Sequence, residues 1–74
     1  MVYQRIRDLR EDSDLTQAEV AEILSCFQQT YSAYELGKQL IPPEVLITLA
    51  NFYKTSVDYL LGLTNVREPY PRIK

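Results

Sequence analysis

The amino-acid sequence predicts an all-α fold, a single domain of five short helices in which the second and third are joined by a tight turn. Apolar residues recur at helical spacing in five successive segments. Residues that favour helix starts precede several of these segments, and glycines that favour helix ends follow two of them. Together these signals place the helices between residues 2 and 62.

Composition limits the kinds of site that the chain can carry. Its 74 residues suit one domain, and 46% of them are hydrophobic, which supports a packed core without disulfides or metals. A single cysteine cannot form an internal disulfide, and a chain without histidine offers no plausible zinc site. We expect no metal, no cofactor and no enzyme activity, since the sequence also has no glycine-rich phosphate loop.

The charge balance is unusual for a protein that binds nucleic acid, because such domains are generally basic. Eight Lys and Arg against ten Asp and Glu give a net charge of −2. Binding nevertheless depends on which face carries the cations, and the net total does not report that. No apolar run approaches the ~20 residues that span a bilayer, and the N-terminus lacks the apolar segment of a signal peptide. A cytoplasmic protein is expected.

Helix 1 is predicted over residues 2–13, where Val2, Ile6 and Leu9 share one face. Its arginines are the main concentration of positive charge in the chain: Arg5, Arg7 and Arg10. For Arg7 two interpretations stay open, a contact to a partner or a solvated pair with a neighbouring carboxylate.

Helix 2 begins with a capping box, because Thr16 is followed three residues later by Glu19. Val20, Ala21 and Leu24 are predicted to form its buried face. Gln17 occupies the first helical position, beside free amide groups that can hold a phosphate. The alternative for Gln17 is an exposed residue that only favours the helix.

Helix 3 is predicted from residue 27 or 28 to residue 36, and Gly37 closes it. If Tyr31 faces inward, Tyr34 and Glu35 take flanking inner positions. The outward face then carries short, uncharged residues: Gln28, Gln29, Ser32, Ala33 and Leu36. Such a face suits the reading of bases, since a glutamine can both donate to and accept from adenine.

Pro42 and Pro43 mark the start of helix 4, because proline is tolerated in the first helical turn. Its apolar stripe comprises Val45, Leu46, Leu49, Ala50, Phe52 and Tyr53. Ser56 can cap a last helix over residues 57–61, and Gly62 would stop it. An extended tail is predicted to follow.

Four motifs resemble those of the Cro/CI-type, lambda-repressor-like helix-turn-helix regulators in their compact single-domain form. The motifs are LTQAEVAEIL, the segment Tyr34-Glu35-x-Gly37-Lys38, IPPEVLITLA and TSVDYLLGLT. The resemblance covers residues 5–64. It implies a five-helix fold with the helix-turn-helix at helices 2 and 3, a DNA-binding domain over residues 1–64 and a tail over residues 65–74.

The resemblance also implies roles for individual residues. Gln28 and Gln29 would read bases, with Ser32 and Ala33 facing the same groove. The expected phosphate contacts are Gln17, Lys38 and Arg10. Arg10 would also form an ion pair with Glu35, and that pair is expected to be primarily structural.

Several positions depart from the family pattern. Ser25 stands in the turn where Gly or Asn is usual, so a left-handed conformation there would be strained. Phe27 replaces the usual Ser or Thr cap of helix 3, and we expect it to pack inward near Tyr31, the alternative being contact with thymine methyl groups. Cys26 is expected to be a buried apolar thiol. Ala33 and Leu36 replace residues that are often polar.

The function implied is a DNA-binding transcriptional regulator, with repression as the expected effect. It would bind double-stranded operator DNA as a homodimer, and no small-molecule substrate is expected. The predicted dimer surface combines apolar residues of helix 5 and the tail: Leu60, Leu63, Val66 and Tyr70. The alternative is a protein-interaction module of the same fold, such as an antitoxin-like partner. Its support is the acidic charge balance and the exposed Leu36.

Overall fold

The computed structural model describes residues 3–69 and shows five helices in the predicted order. They are α1 (Gln4–Asp12), α2 (Gln17–Ile23), α3 (Gln28–Glu35), α4 (Pro43–Tyr53) and α5 (Val57–Leu60). The all-α, five-helix prediction is thus confirmed. Val2, predicted in helix 1, lies outside the described residues. Within residues 3–69, no helix is long and apolar enough to cross a membrane.

All five helices contribute to one apolar core. The most deeply buried side chains are Ile6 of α1, Val20 of α2, Tyr31 of α3, Leu49 of α4 and Leu60 of α5. The first four come from the inward stripes that helical spacing predicts. A single continuous core therefore holds α2 and α3 in position.

Two apolar residues of the last two helices do not lie where the sequence predicted. Phe52 was assigned to the buried stripe of α4, but it is 43% exposed, because that stripe is wider than the surface available to cover it. Leu60 was assigned to the dimer surface, but it is only 1% exposed. A side chain enclosed in the core of its own chain cannot contact a second protomer, so the dimer prediction loses Leu60.

Side-chain caps form at the two helix starts where they were predicted. The amide of Glu19 donates to Oγ1 of Thr16 at 3.1 Å, and the amide of Thr16 donates to the Glu19 carboxylate at 2.9 Å. The bond from the Thr16 amide, together with the Thr16 hydroxyl, lowers the pKa of the Glu19 carboxyl. At α5 the amide of Tyr59 donates to Oγ of Ser56 at 3.0 Å. The caps fix where α2 and α5 begin.

A left-handed residue follows or closes every helix, which turns the chain sharply each time. Besides Gly37 and Gly62, these residues are Asp14, Ser25 and Lys54, with φ between 56° and 57°. After α2, the Ser25 amide donates to the Glu22 carbonyl at 3.0 Å and the Cys26 amide to the Ala21 carbonyl at 2.9 Å. This paired pattern is the Schellman motif. It sets the angle between α2 and α3, and it confirms the left-handed conformation predicted at Ser25.

Replacing Ser25 by glycine is expected to raise the free energy of unfolding by about 0.5–1 kcal/mol. Relief of the left-handed strain is worth about 1–2 kcal/mol, and the greater freedom of glycine in the unfolded chain offsets part of that gain. Urea denaturation measures the change. The matched control is the reverse substitution Gly62→Ser at φ +77°, where no described atom would lie within 4 Å of an added Cβ. It should destabilise the protein, and a destabilising Ser25→Gly would contradict the prediction.

Arg5 ties the segment after α5 to the body of the domain. Its guanidinium lies over the ring of Tyr59, 4.2 Å from the centroid. It also donates to the carbonyls of Tyr59 and Thr64 and to Oδ1 of Asn65. The hydroxyl of Thr55 donates to a further carbonyl of this segment at 2.6 Å. Arg5 is therefore engaged internally. The boundary drawn at residue 64 remains a prediction.

Candidate nucleic-acid interface

An open groove of about 450 Å³ runs along α3. The N-terminus of α2 and the turn after α3 complete its walls. Its lining side chains are Gln17, Gln28, Gln29, Ser32, Ala33, Leu36 and Lys38. The structure thus brings together the four predicted base readers and two of the three predicted phosphate contacts. Leu36 joins them, although the sequence reasoning did not count it as a reader.

The orientation of α3 explains why these side chains share one surface. Tyr31 is fully buried, and Tyr34 and Glu35 are each 6% exposed, so three residues anchor the helix to the core. Helical periodicity then turns the residues between them outward. Gln28 and Gln29 are exposed at the start of the helix. The result is a polar, uncharged helix face fixed by a buried aromatic face.

Phe27 does not pack inward as predicted, because its side chain is 79% exposed. It precedes α3 in an extended conformation, with φ −72° and ψ 149°, and provides no side-chain cap. The inward position is already filled by Tyr31, whose ring is fully buried. Phe27 also does not line the groove. Its neighbour Cys26 is half-buried against the core, in agreement with the apolar role expected of it.

The predicted ion pair between Arg10 and Glu35 forms in the interior. Nε of Arg10 lies 2.6 Å from Oε2 of Glu35, and the side chains are only 13% and 3% exposed. A second guanidinium nitrogen donates to Oε1 of Glu35 at 3.2 Å. Nε2 of Gln17 donates to the same oxygen at 3.1 Å. Glu35 therefore joins α1, the start of α2 and the end of α3.

The pKa of Glu35 reflects two opposing influences. Burial raises it, but the hydrogen bonds from Arg10 and Gln17, together with the nearby Tyr31 hydroxyl, lower the pKa below its ordinary value. The Tyr31 hydroxyl lies near the carboxylate without meeting the geometry of a hydrogen bond with any described group. Burial and Glu35 in turn raise the pKa of Tyr31 far above its ordinary range. The carboxylate is thus held ionised.

This lowered pKa predicts a loss of stability in acid. A carboxyl whose pKa is lower in the folded than in the unfolded chain stabilises the protein above its ordinary pKa, and that stabilisation is lost as the pH falls through the folded value. Glu35→Gln should therefore be less stable than wild type at pH 7, with the difference shrinking below about pH 4.5. Urea denaturation across this pH range measures the difference in the free energy of unfolding. The control is Glu22→Gln on the exposed face of α2. A stability difference between wild type and Glu35→Gln that stays constant with pH would contradict the prediction.

The arginines of α1 are not available in the way the sequence suggested. Besides Glu35, Arg10 donates to the carbonyl of Leu15 at 2.9 Å, and it does not line the groove. This geometry argues against its predicted phosphate contact. Arg7 lies 3.5 Å from Glu11 with both side chains about half exposed, which matches the solvated pair. Among residues 3–69, Lys38 is thus the single cation that lines the groove.

Leu36 is the groove residue that the sequence placed outward without counting it among the DNA contacts. The signal was present, because its helical position matches that of Gln29 and Ser32. Within the described part of the chain no group of acidic or cysteine side chains could hold a metal ion.

Comparisons of the sequence relate the chain to known proteins. A helix-turn-helix family model matches residues 6–60. The chain is 38% identical over 74 residues to YobD, an uncharacterised HTH-type transcriptional regulator of Bacillus subtilis, covering 100% of this chain and 64% of YobD. It is 40% identical over 70 residues to RstR, the transcriptional repressor of a cryptic CTXphi phage of Vibrio cholerae, covering 92% of this chain and 63% of RstR. The chain therefore spans less than two thirds of the length of these relatives.

Proposed function

Since this chain belongs to the Cro/CI-type helix-turn-helix family, we propose that it is a transcriptional regulator that binds operator DNA sequence-specifically and represses by occupying a promoter. The observation that carries this proposal is the groove along α3, where glutamine side chains face outward between the start of α2 and Lys38. A helix with a short polar face fits the major groove, where base edges present donors and acceptors. No chemistry is needed for such an effect.

The proposed base readers are the two glutamines at the start of α3. Gln28 and Gln29 are exposed. In a helix-turn-helix the N-terminal residues of the second helix of the motif, here α3, reach the base edges. A glutamine amide suits adenine, because it can donate to N7 and accept from the N6 amino group. Ser32 and Ala33 are half-buried and small, so they allow the helix to approach the bases closely. The operator should contain adenine at the positions facing the glutamines.

The proposed phosphate contacts lie at the two ends of the groove. Lys38 follows the turn that closes α3 and is exposed. At the start of α2, the side-chain Nε2 of Gln17 donates to Glu35. This bond holds the Gln17 side chain in place beside the free backbone amides of the helix start, where a phosphate can bind. Arg10 is excluded from this proposal by its pairing with Glu35. Each protomer thus provides few cations to the DNA backbone.

We propose a homodimer because each protomer places few cations in the groove and two protomers double the number of contacts. Leu63 and Val66, which follow α5, are 73% and 55% exposed and form the proposed dimer surface, while Tyr70 lies outside the described residues. The recognition helices of such a dimer enter successive major grooves ~34 Å apart.

Sedimentation at micromolar concentration tests the homodimer. The double substitution Leu63→Ser with Val66→Ser should dissociate it, whereas Leu40→Ser, which alters another highly exposed leucine, should not. A wild-type protein that stays monomeric on a palindromic site would rule out this arrangement.

Selection of bound sequences from a random duplex pool tests the function directly. We expect enrichment of a palindromic consensus with adenine-containing half-sites about one helical turn apart. A monomeric consensus would retain DNA reading and remove the dimer. If no sequence is enriched, the proposed function fails.

The salt dependence of binding should be shallow. The slope of log K against log salt is about −0.9 for each phosphate neutralised, and among residues 3–69 each protomer places one cation, Lys38, in the groove. Lys38→Gln should reduce the slope of a dimer by about 2. Lys54→Asn is the control, because asparagine tolerates the left-handed conformation at φ 56°. A wild-type slope of about −8 or steeper would show that other cations reach the DNA.

A further inference from the structure

We infer that Leu36 contacts the 5-methyl group of a thymine in the operator and is a specificity-determining residue at the apolar end of the groove. This inference rests on the proposed function and deepens it, because it adds a base preference that the glutamines do not provide. It follows from where Leu36 lies, what surrounds it and how firmly its backbone is held.

Leu36 lies on the same surface as the proposed base readers. Its side chain is 54% exposed and lines the groove with Gln28, Gln29 and Ser32. It is eight residues beyond Gln28, which corresponds to about 12 Å along a helix. Base pairs are spaced about 3.4 Å apart along DNA. Leu36 therefore reaches a base pair that is at most about three or four positions from the one that faces Gln28.

The chemistry of this position selects one feature of DNA. Leucine has no side-chain donor or acceptor, and its apolar neighbour in the groove is Ala33. In the major groove the thymine methyl is the apolar group that base edges present, and apolar side chains recognise it by contact. Leu36 and Ala33 thus form an apolar strip that complements thymine.

The backbone of Leu36 is held on both sides. Its amide donates to the carbonyl of Ser32 at 3.0 Å, and the turn after it is closed by the amides of Gly37 and Lys38, which donate to the carbonyls of Tyr34 and Ala33 at 3.2 and 2.9 Å. Little ordering is therefore required when the side chain meets a base. A phosphate bound by Lys38, two residues further on, would hold the strip against the groove floor.

Two other exposed apolar side chains lack this placement. Phe27 is 79% exposed and Leu40 is 91% exposed, but neither lines the groove. Exposure by itself therefore does not distinguish Leu36. Its position among the base readers does.

Replacement of single thymines by uracil tests the inference, because it removes only the methyl group. The selected operator is prepared with each thymine replaced in turn, symmetrically in both half-sites, and Kd is measured for wild type, Leu36→Ala and the control Leu40→Ala. Replacing the thymine that Leu36 contacts by uracil in both half-sites should weaken wild-type binding by about fourfold per half-site. This factor corresponds to the free energy of burying about one methyl group. Leu36→Ala should show no loss at this thymine, while Leu40→Ala should behave as wild type.

Leu36→Met, which keeps an apolar contact, should retain sensitivity to the same methyl group and controls for changes in folding. Equal uracil penalties in wild type and Leu36→Ala would overturn the inference while leaving the proposed function intact, because specific binding persists. An operator with no uracil-sensitive thymine would overturn it as well. If the random pool yields no selected sequence, the proposed function and this inference fail together.

Discussion

Replacing Arg10 by methionine is expected to lower the free energy of unfolding by about 3–5 kcal/mol, because it leaves the Glu35 carboxylate buried without its cation. Glu35 has a side chain only 3% exposed, and Arg10 provides two of its hydrogen bonds. For a domain of this size each kcal/mol shifts the melting temperature by about 4–8 °C. A fall of at least about 12 °C is therefore expected.

Thermal and urea denaturation measure this loss against a matched substitution on the same helix. Arg7→Met removes an exposed pair with Glu11, with N···O 3.5 Å, which is worth about 0.5 kcal/mol or less. The double variant Arg10→Met with Glu35→Leu should recover most of the stability, since no charge then remains buried. If Arg10→Met and Arg7→Met lose similar amounts, the buried pair does not have the assigned role.

Replacing Gln28 and Gln29 by alanine is expected to remove most of the sequence preference while the fold remains intact. Each well-placed contact to a base discriminates by about 1–3 kcal/mol, which corresponds to roughly 5- to 150-fold in affinity for each glutamine. Both side chains are exposed at the start of α3, so their loss leaves no cavity in the core. In a dimer the effect applies to both half-sites.

The ratio of Kd for the selected operator to Kd for a scrambled duplex measures this preference. Gln39→Ala is the control, because Gln39 is an exposed glutamine that does not line the groove. Circular dichroism verifies that each variant is folded. An unchanged ratio in the Gln28 and Gln29 variants would favour the protein-interaction module, for which the exposed Leu36 would be a contact.

Features that depend on residues close together in the chain were predicted well. The capping box of Thr16 and Glu19, the cap at Ser56 and the left-handed Ser25 all form within a few residues. The buried and exposed faces of α3 follow from helical periodicity. For these features the interacting groups belong to one turn or two adjacent turns, so spacing alone specifies them.

Features that depend on distant residues were predicted less well. The Arg10–Glu35 pair was inferred from a family resemblance, since 25 residues separate its members. Arg5 contacts residues 54 to 60 positions away, which no local pattern indicates. The sequence therefore suggested that the arginines of α1 are free to contact DNA, although Arg5 and Arg10 make hydrogen bonds within the fold.

The sequence alone was enough to predict five helices, where they begin and turn, and which face of α3 points outward, because these features depend on backbone geometry and on the period of the helix. The packing of the helices was needed to show that Leu60 is enclosed while Phe27 is exposed, and that Leu36 shares a groove with Gln17 and Lys38. Burial depends on which surfaces the other helices cover. That covering is created by contacts between residues far apart in the chain, which periodicity does not contain.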